Sequence, residues 1–245
     1  IFYPIFTAKA VWTDAGRDNL DEVLVDYGLS SSLAVDSSAR PHLAYFQYVT
    51  GQPAHFKLCY LKWNGNAWVD ADGSGQGEKY LYGLSTFYPP SVSLKLKSDG
   101  FPAIAFGQGF GANGALYFLQ WNGSSWVGAN GGSGEADAIV RAGNSSEISL
   151  ALKNNNYPTI TWSNGSLPSQ IYFLQWNGSE WVDADGVGQG QISVSNGLHP
   201  SLVLDADERP SISFLYSLMF TRGLPYLYWN GSAWVAADGS GQDSA

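Results

Sequence analysis

Along most of the chain, apolar residues alternate with small or polar ones over short runs, each closed by a turn. The run Ser32-Leu33-Ala34-Val35-Asp36 leads through a polar turn into Pro41-His42-Leu43-Ala44-Tyr45. The same two-strand signature returns at Ser91–Lys97 with Pro102–Phe106, at Ser149–Leu152 with Pro158–Trp162, and at Ser201–Asp205 with Pro210–Phe214. Period-two alternation predicts half-buried strands, and a proline is tolerated as the first residue of one. Each signature is followed by a third strand rich in Tyr, Phe and Leu, such as Leu116–Gln120 or Ile171–Gln175. That strand ends in a Trp-Asn-Gly-x-x-Trp segment: Trp63 to Trp68, Trp121 to Trp126, Trp176 to Trp181 and Trp229 to Trp234. Asn-Gly between β-forming runs predicts a two-residue type I′ turn, with positive φ at both residues. A Gly/Asp loop and a short fourth strand, such as Gln191–Ser195, complete the unit.

The leading tryptophans recur after 58, 55 and 53 residues. Four antiparallel strands in roughly 55 residues is the size of one propeller blade. No stretch has a useful helical period. The expected fold is therefore all-β: a β-propeller of four four-stranded blades, or of five if residues 1–15 join a further blade. Residues 1–15 read as an apolar strand extension, in which Trp12 keeps phase with the second Trp of each hairpin, and residues 16–245 read as the propeller. The chain stops at Gly241–Ala245, where other units would start a fourth strand. The strand Asp21–Tyr27 is expected to supply it, closing the ring by a strand swap.

Composition agrees with this picture. Of 245 residues, only 13% are charged, 15% are aromatic and 29 are Gly. This combination favours short strands and tight turns. A formal net charge of −9 argues against nucleic acid and anionic membranes as partners. No apolar run is long enough for a membrane-spanning helix. The chain begins at Ile1 without Met or a charged leader, as expected of a processed form. Cys59 is the sole cysteine and sits in an apolar run, so it reads as a small buried hydrophobe.

The signature Ser-Leu-Ala-Val-Asp-Ser-Ser-Ala-Arg-Pro-His-Leu-Ala-Tyr (32–45), together with the later Trp-Asn-Gly-Ser-x-Trp, resembles a repeat of secreted or surface-anchored bacterial and archaeal proteins. The resemblance covers about residues 29–242. It implies a propeller and an extracellular or cell-surface location, but no activity. The chain departs from that pattern in the inserted Asp-Ala-Asp-Gly-Ser-Gly-Gln loop and in its apolar N-terminal extension.

Candidate chemistry is sparse. Asp70, Asp72, Ser74 and Glu78 place oxygen donors at positions 1, 3, 5 and 9 of a loop with Gly75 at position 6, as in the first part of a calcium loop. Calcium is thus the one candidate cofactor. Asp-Gly pairs also make tight turns unaided, and the other copies of the loop are poorer in donors. The sequons at Asn122, Asn144, Asn164, Asn177 and Asn230 are formal glycosylation acceptors, although turn chemistry accounts for those in the hairpins. His42 and His199 read as ring-lining or packing residues, and Asp36 and Asp205 as equivalent turn residues rather than a glycosidase pair. With no catalytic motif recognised, the expectation is that the protein is not an enzyme.

Two binding roles then compete. Ile1, Phe2, Tyr3, Ile5 and Phe6 form an apolar strand that no complete blade needs. Donated to the next copy, it would build a head-to-tail homopolymer, a structural fibre or layer. Alternatively, Trp63, Trp121, Trp176 and Trp229 could stack on sugars, making a multivalent lectin-like propeller. A glycoside-active enzyme is the third reading.

Overall fold

The computed structural model describes residues 28–49, 55–75, 80–84, 90–107, 114–132, 139–165, 168–188, 193–218 and 221–241. Among them there is no helix, and the strands fall into four antiparallel sheets.

The first sheet contains β1 (Leu29–Val35), β2 (Pro41–Val49), β3 (His55–Trp63), β4 (Trp68–Val69) and β5 (Tyr80–Leu84). The second holds β6 (Ser91–Leu96), β7 (Pro102–Gly107), β8 (Ala115–Trp121), β9 (Trp126–Val127) and β10 (Ile139–Ala142). The third holds β11 (Ser146–Leu152), β12 (Pro158–Ser163), β13 (Gln170–Trp176), β14 (Trp181–Val182) and β15 (Ser195–Asn196). The fourth holds β16 (Leu198–Leu204), β17 (Pro210–Leu218), β18 (Thr221–Gly223), β19 (Tyr226–Trp229) and β20 (Trp234–Ala236). All four signature prolines open their strands, as expected from the missing N–H.

The fourth strand of each of the first three sheets comes in two pieces. In the first sheet, β4 pairs with the C-terminal end of β3 (Trp63 opposite Trp68), while β5 pairs with its N-terminal half (Phe56 opposite Leu84). The Gly/Asp loop interrupts the strand between them. In the fourth sheet the break falls one strand earlier. There β17 pairs with β19 in its first half and with β18 in its second. Beyond β20, the isolated bridge Val235–Gly241 follows among the described residues.

The turn between the paired tryptophans differs from the type I′ expectation. Trp63 lies directly opposite Trp68, so the connection has four residues, and only the glycine has positive φ (104° at Gly65, 103–105° at the others). The Asn side chain removes the need for a second positive φ. Asn64 Oδ1 accepts the amides of Asn66 and Ala67, both at 2.9 Å, and Asn122, Asn177 and Asn230 repeat the pattern.

The innermost strands β1, β6, β11 and β16 pack against one another in succession. Serine hydroxyls tie them together: the amides of Leu94, Leu150 and Leu202 donate to Ser32, Ser93 and Ser149 at 2.9, 3.1 and 3.0 Å. Among the described residues the core has three slabs, one between each consecutive pair of sheets, and a smaller cluster of Tyr45, Cys59 and Leu61 on the other face of the first sheet. In the first slab, Phe46, Leu58 and Tyr60 meet Ile104, Phe106 and Tyr117, and the last two rings stack at 4.9 Å. Each such side chain is worth roughly 1.5–3 kcal/mol of transfer free energy.

Between the fourth and first sheets this contact is not repeated. Leu33 is 61% exposed, whereas its counterparts Leu94, Leu150 and Leu202 are 2%, 0% and 4% exposed. Val203, on the opposite flank of the seam, is 59% exposed. The strand Asp21–Tyr27, expected to close the ring, and the strand at residues 1–6 lie outside the described residues.

Candidate functional site

The inner strands carry an irregularity at their N-terminal ends. Pairing slips between Leu29 and Ser32, between Ser146 and Ser149, and between Leu198 and Ser201. Each slip is a β-bulge, and its residue lies in the left-handed region: Ser30 (φ 51°), Glu147 (φ 51°) and His199 (φ 52°). These three positions are equivalent. In the second sheet, β6 pairs without a slip. A side chain held at positive φ costs on the order of 1–3 kcal/mol, and bulges re-aim side chains beside functional sites.

Here the re-aimed groups meet. His199 Nδ1 lies 2.9 Å from Glu147 Oε1, and the His199 amide donates to Glu147 Oε2 at 2.7 Å. Ser163 Oγ donates to the same oxygen at 2.9 Å and lies 3.1 Å from Ser146 Oγ. A carboxylate only accepts, so the histidine is oriented with its proton on Nδ1, which leaves Nε2 as an acceptor. The imidazole is 64% exposed and the carboxylate 28%. This is an anchored, solvent-facing base at the end of two adjacent inner strands. Gly107 makes room for it. A Cβ there would stand 2.6 Å from Ser145 O and 2.8 Å from Ile148 Cδ1, so the bulged strand comes close only because residue 107 has no side chain.

His42 is the contrasting case. It is buried on β2, with Nδ1 2.6 Å from the Tyr60 hydroxyl and Nε2 3.7 Å from Asp36 Oδ2. Burial lowers its pKa, opposed by Asp36, and burial beside Asp36 raises that of Tyr60. The edge of Trp126 covers Tyr60 at 5.4 Å. In the second and third sheets this slot holds Ala103 with Phe118 and Thr159 with Phe173, and in the fourth Ser211 with Tyr226, their hydroxyls 3.0 Å apart. The packing role expected of His42 is what the structure shows, whereas His199 is exposed at the end of the inner strands.

The acids at the turns act locally. Asp36 Oδ1 accepts the amides of Ser38 and Arg40, and Asp205 Oδ1 those of Asp207 and Arg209. Burial disfavours the charged form of Asp36, but those two amides and His42 outweigh it and hold its carboxyl below the usual range. In the calcium-like loop, Asp72 Oδ1 accepts the Ser74 amide at 2.6 Å. Asn130, Asp185 and Asp238 make the same turn. An asparagine does this as well as an aspartate, so the turn needs no cation. Asp70 is buried beside it, Glu78 lies outside the described residues, and no group of three or more His, Cys, Asp or Glu side chains suited to a metal occurs among the described ones.

The tryptophans pack in edge-to-face pairs, with centroids 5.6–5.8 Å apart. Trp121 and Trp176 are only 5% and 6% exposed and offer no face to a sugar. Trp63 and Trp229 are half-buried. Trp229 and Trp234 line a cleft between the third and fourth sheets with Asp183, Asp185 and Ser193. The interface candidates Ile1, Phe2, Tyr3, Ile5 and Phe6 lie outside the described residues.

The Glu147–His199 pair was missed in the sequence. The available signal was a charged residue and a histidine two positions before the signature serines Ser149 and Ser201, where Ser30 and Ser91 stand in the other copies.

No family model and no curated protein matches the chain. Solved structures do. A polysaccharide lyase of family PL25, an ulvan lyase, aligns over 86% of this chain with a TM-score of 0.55 and 13% identity, and the chain spans 55% of that lyase. A xylan β-1,4-xylosidase from Bacillus halodurans aligns over 87% of the chain and 44% of its own length, with a TM-score of 0.46 and 14% identity. A fucose lectin from Kordia zhangzhouensis aligns over 66% of the chain and 99% of its own, with a TM-score of 0.41 and 19% identity. At these identities the likeness is one of fold. It corrects the expectation that the protein is not an enzyme. That expectation leaned on missing motifs, and the architecture the chain shares with the lyase is one that supports catalysis. Nor do the described residues support a non-catalytic fibre subunit.

Proposed function

We propose that the protein is a carbohydrate-active β-propeller that binds a polysaccharide over the N-terminal ends of its inner strands and cleaves it by elimination. One observation carries this reading: the exposed His199 imidazole, fixed through Nδ1 by Glu147. The fold likeness to a polysaccharide lyase supports it. In such a step, Nε2 takes the proton on the carbon next to a uronate carboxyl. The electrons of that C–H bond form a carbon–carbon double bond, and the glycosidic C–O bond breaks, leaving its electrons on the departing oxygen, which acquires a proton. A positioned imidazole is the commonest general base in proton transfers of this kind. Glycoside hydrolysis by the usual route needs two carboxyl groups flanking the bond, and the pair here supplies one. The net charge of −9 favours a substrate with sparse acidic groups. In this reading the protein works outside the cell, which the repeat resemblance supports.

The test is incubation with a panel of uronate-containing and neutral polysaccharides, reading the absorbance of the new conjugated double bond and the size of the products. Unsaturated oligosaccharides are expected from a uronate polymer, and His199→Gln and Glu147→Gln are expected to remove them while the dichroism spectrum stays unchanged. Full activity in His199→Gln, or no product from any polymer, would sink the assignment. A second reading, a glycan held apart from the reacting bond, is favoured by the cleft beside Trp229, which joins an aromatic face to the carboxylates of Asp183 and Asp185.

A further inference from the structure

The cleft between the third and fourth sheets lies at the opposite end of the fourth sheet from His199. Ser211 on β17 pairs with Val203 on one side and Tyr228 on the other. Trp229 continues past that row, whereas His199 precedes it, near the start of β16. The cleft is small, about 140 Å³. Pockets that engulf a whole small molecule run to roughly 300–1,000 Å³, so this one suits a single sugar ring rather than a chain.

Its walls are aromatic. Trp229 and Trp234 meet at 65° with centroids 5.8 Å apart, which makes a corner, and Trp234 packs against Phe173 at 5.5 Å. Its rim is acidic, with Asp183 half-buried and Asp185 exposed. The loop that carries these acids is anchored. Gln175 Nε2 donates to the carbonyl oxygens of Asp183 and Ala184 at 2.9 and 3.3 Å, and Asp185 Oδ1 accepts the Val187 amide at 3.0 Å. A Cβ at Gly188 (φ 77°) would stand 2.6 Å from Asp183 Oδ2, so the loop wraps closely round that carboxylate. No Lys, Arg or His is among the described residues lining the cleft.

The equivalent places between the other sheets lack this combination. Trp121 is 5% exposed, and Asp70 across from it is itself 1% exposed. Trp176 is 6% exposed, and the loop facing it has Gly128 and Asn130 where the third sheet has Asp183 and Asp185.

Given a glycan held apart from the reacting bond, the second reading proposed for this protein, we infer that the cleft takes one sugar unit carrying a free ammonium group, an amino sugar that is not N-acylated. The indole face of Trp229 stacks on the C–H face of the ring and also attracts the cation. Asp183 and Asp185 accept charge-assisted hydrogen bonds from the ammonium. A uronate or sulfated unit meets those two carboxylates and a net charge of −9, and is repelled. A neutral unit gains the stacking without the ion pair.

The test is calorimetric titration of the full chain at about pH 6, where amines are protonated, with a glucosamine oligomer and with its N-acetylated counterpart of the same length. The glucosamine oligomer is expected to bind at least about tenfold more tightly, the margin of a lost hydrogen bond to a charged group, and its affinity should fall as salt rises. Trp229→Ala and Asp183→Asn/Asp185→Asn should each weaken it about tenfold or more. Asn130 makes the Asp185 turn in the second sheet, so the acid-to-amide variant keeps the loop and decides the matter even if Trp229→Ala fails to fold. Equal affinity for the two oligomers, or undiminished affinity in Asp183→Asn/Asp185→Asn, would overturn the inference. Cleavage of a uronate polymer should be unchanged in that variant, and His199→Gln should bind the glucosamine oligomer as the parent does, so failure at one site is distinguishable from failure at the other.

Discussion

His42 stands on the second strand of the first sheet and His199 on the innermost strand of the fourth, and they have become different chemical objects. His42 faces a slab of core and spends Nδ1 on the Tyr60 hydroxyl. His199 sits on a bulge, spends Nδ1 on Glu147 and keeps the rest of its ring in water. The first pair replaces an Ala–Phe or Thr–Phe contact found in neighbouring sheets, so it is a local solution to filling a slot. The second needs two strained backbone positions on adjacent strands, and no packing requirement explains it. The same residue type therefore carries structure in one place and candidate chemistry in the other.

The comparison breaks most sharply at His199. His199→Gln is expected to cut turnover of the polysaccharide by about 10²–10⁴-fold, the usual contribution of a positioned base, with an unchanged melting temperature. A rate loss that instead tracks a drop in melting temperature would make His199 structural.

Stability should respond at the other histidine. His42→Ala leaves the buried Tyr60 hydroxyl without its partner, and Tyr60→Phe leaves the buried ring nitrogen without its own. Each should cost about 1–3 kcal/mol in denaturant unfolding. The double variant recreates the Ala103–Phe118 pairing of the second sheet and should recover most of that loss. Additive costs would show that the 2.6 Å contact contributes nothing as a pair.

The pH profile sharpens the same point. Burial holds His42 below its ordinary value of 6.5 even though Asp36 opposes the shift. The unfolded chain therefore takes up the proton more readily than the folded one. This contribution to stability is complete above about pH 6.5 and is lost as pH falls through the lowered folded-state value. Unfolding measured from pH 8 to 5 should show the decline in the parent and a shallower one in the His42→Ala/Tyr60→Phe protein. The smallest effect is expected at Ser163→Ala, which removes one donor from Glu147. A net bond worth roughly 0.5–1.5 kcal/mol translates into a few-fold loss of rate.

Much of this frame was legible in the chain. The tryptophan spacing gave the register of Trp63 with Trp68 and of its three copies, and the prolines marked the first residues of β2, β7, β12 and β17. Turn geometry was not legible, because the Asn64 side chain does what backbone φ was expected to do. The fate of the histidines was hidden for another reason. Tyr60 and Glu147 lie 18 and 52 residues from their partners. Only strand register brings the first pair together, and only bulges at two equivalent positions bring the second. Alternation patterns report which face a residue takes. They do not report a slip that turns one residue out of the ladder.

The broken fourth strands have a consequence for crowded solutions. A propeller presents the outer edge of every blade to its surroundings, and a long straight edge is a template on which another molecule can add a strand. Here those edges are cut into β4, β9 and β14, of two residues each, followed by pieces no longer than the five residues of β5. An Asx-turned loop stands between the pieces in each case. No described stretch of rim is long enough to seed such growth. In the described rim, the same inserts that interrupt the repeat pattern thus also shorten the edges on which a neighbouring molecule could add a strand.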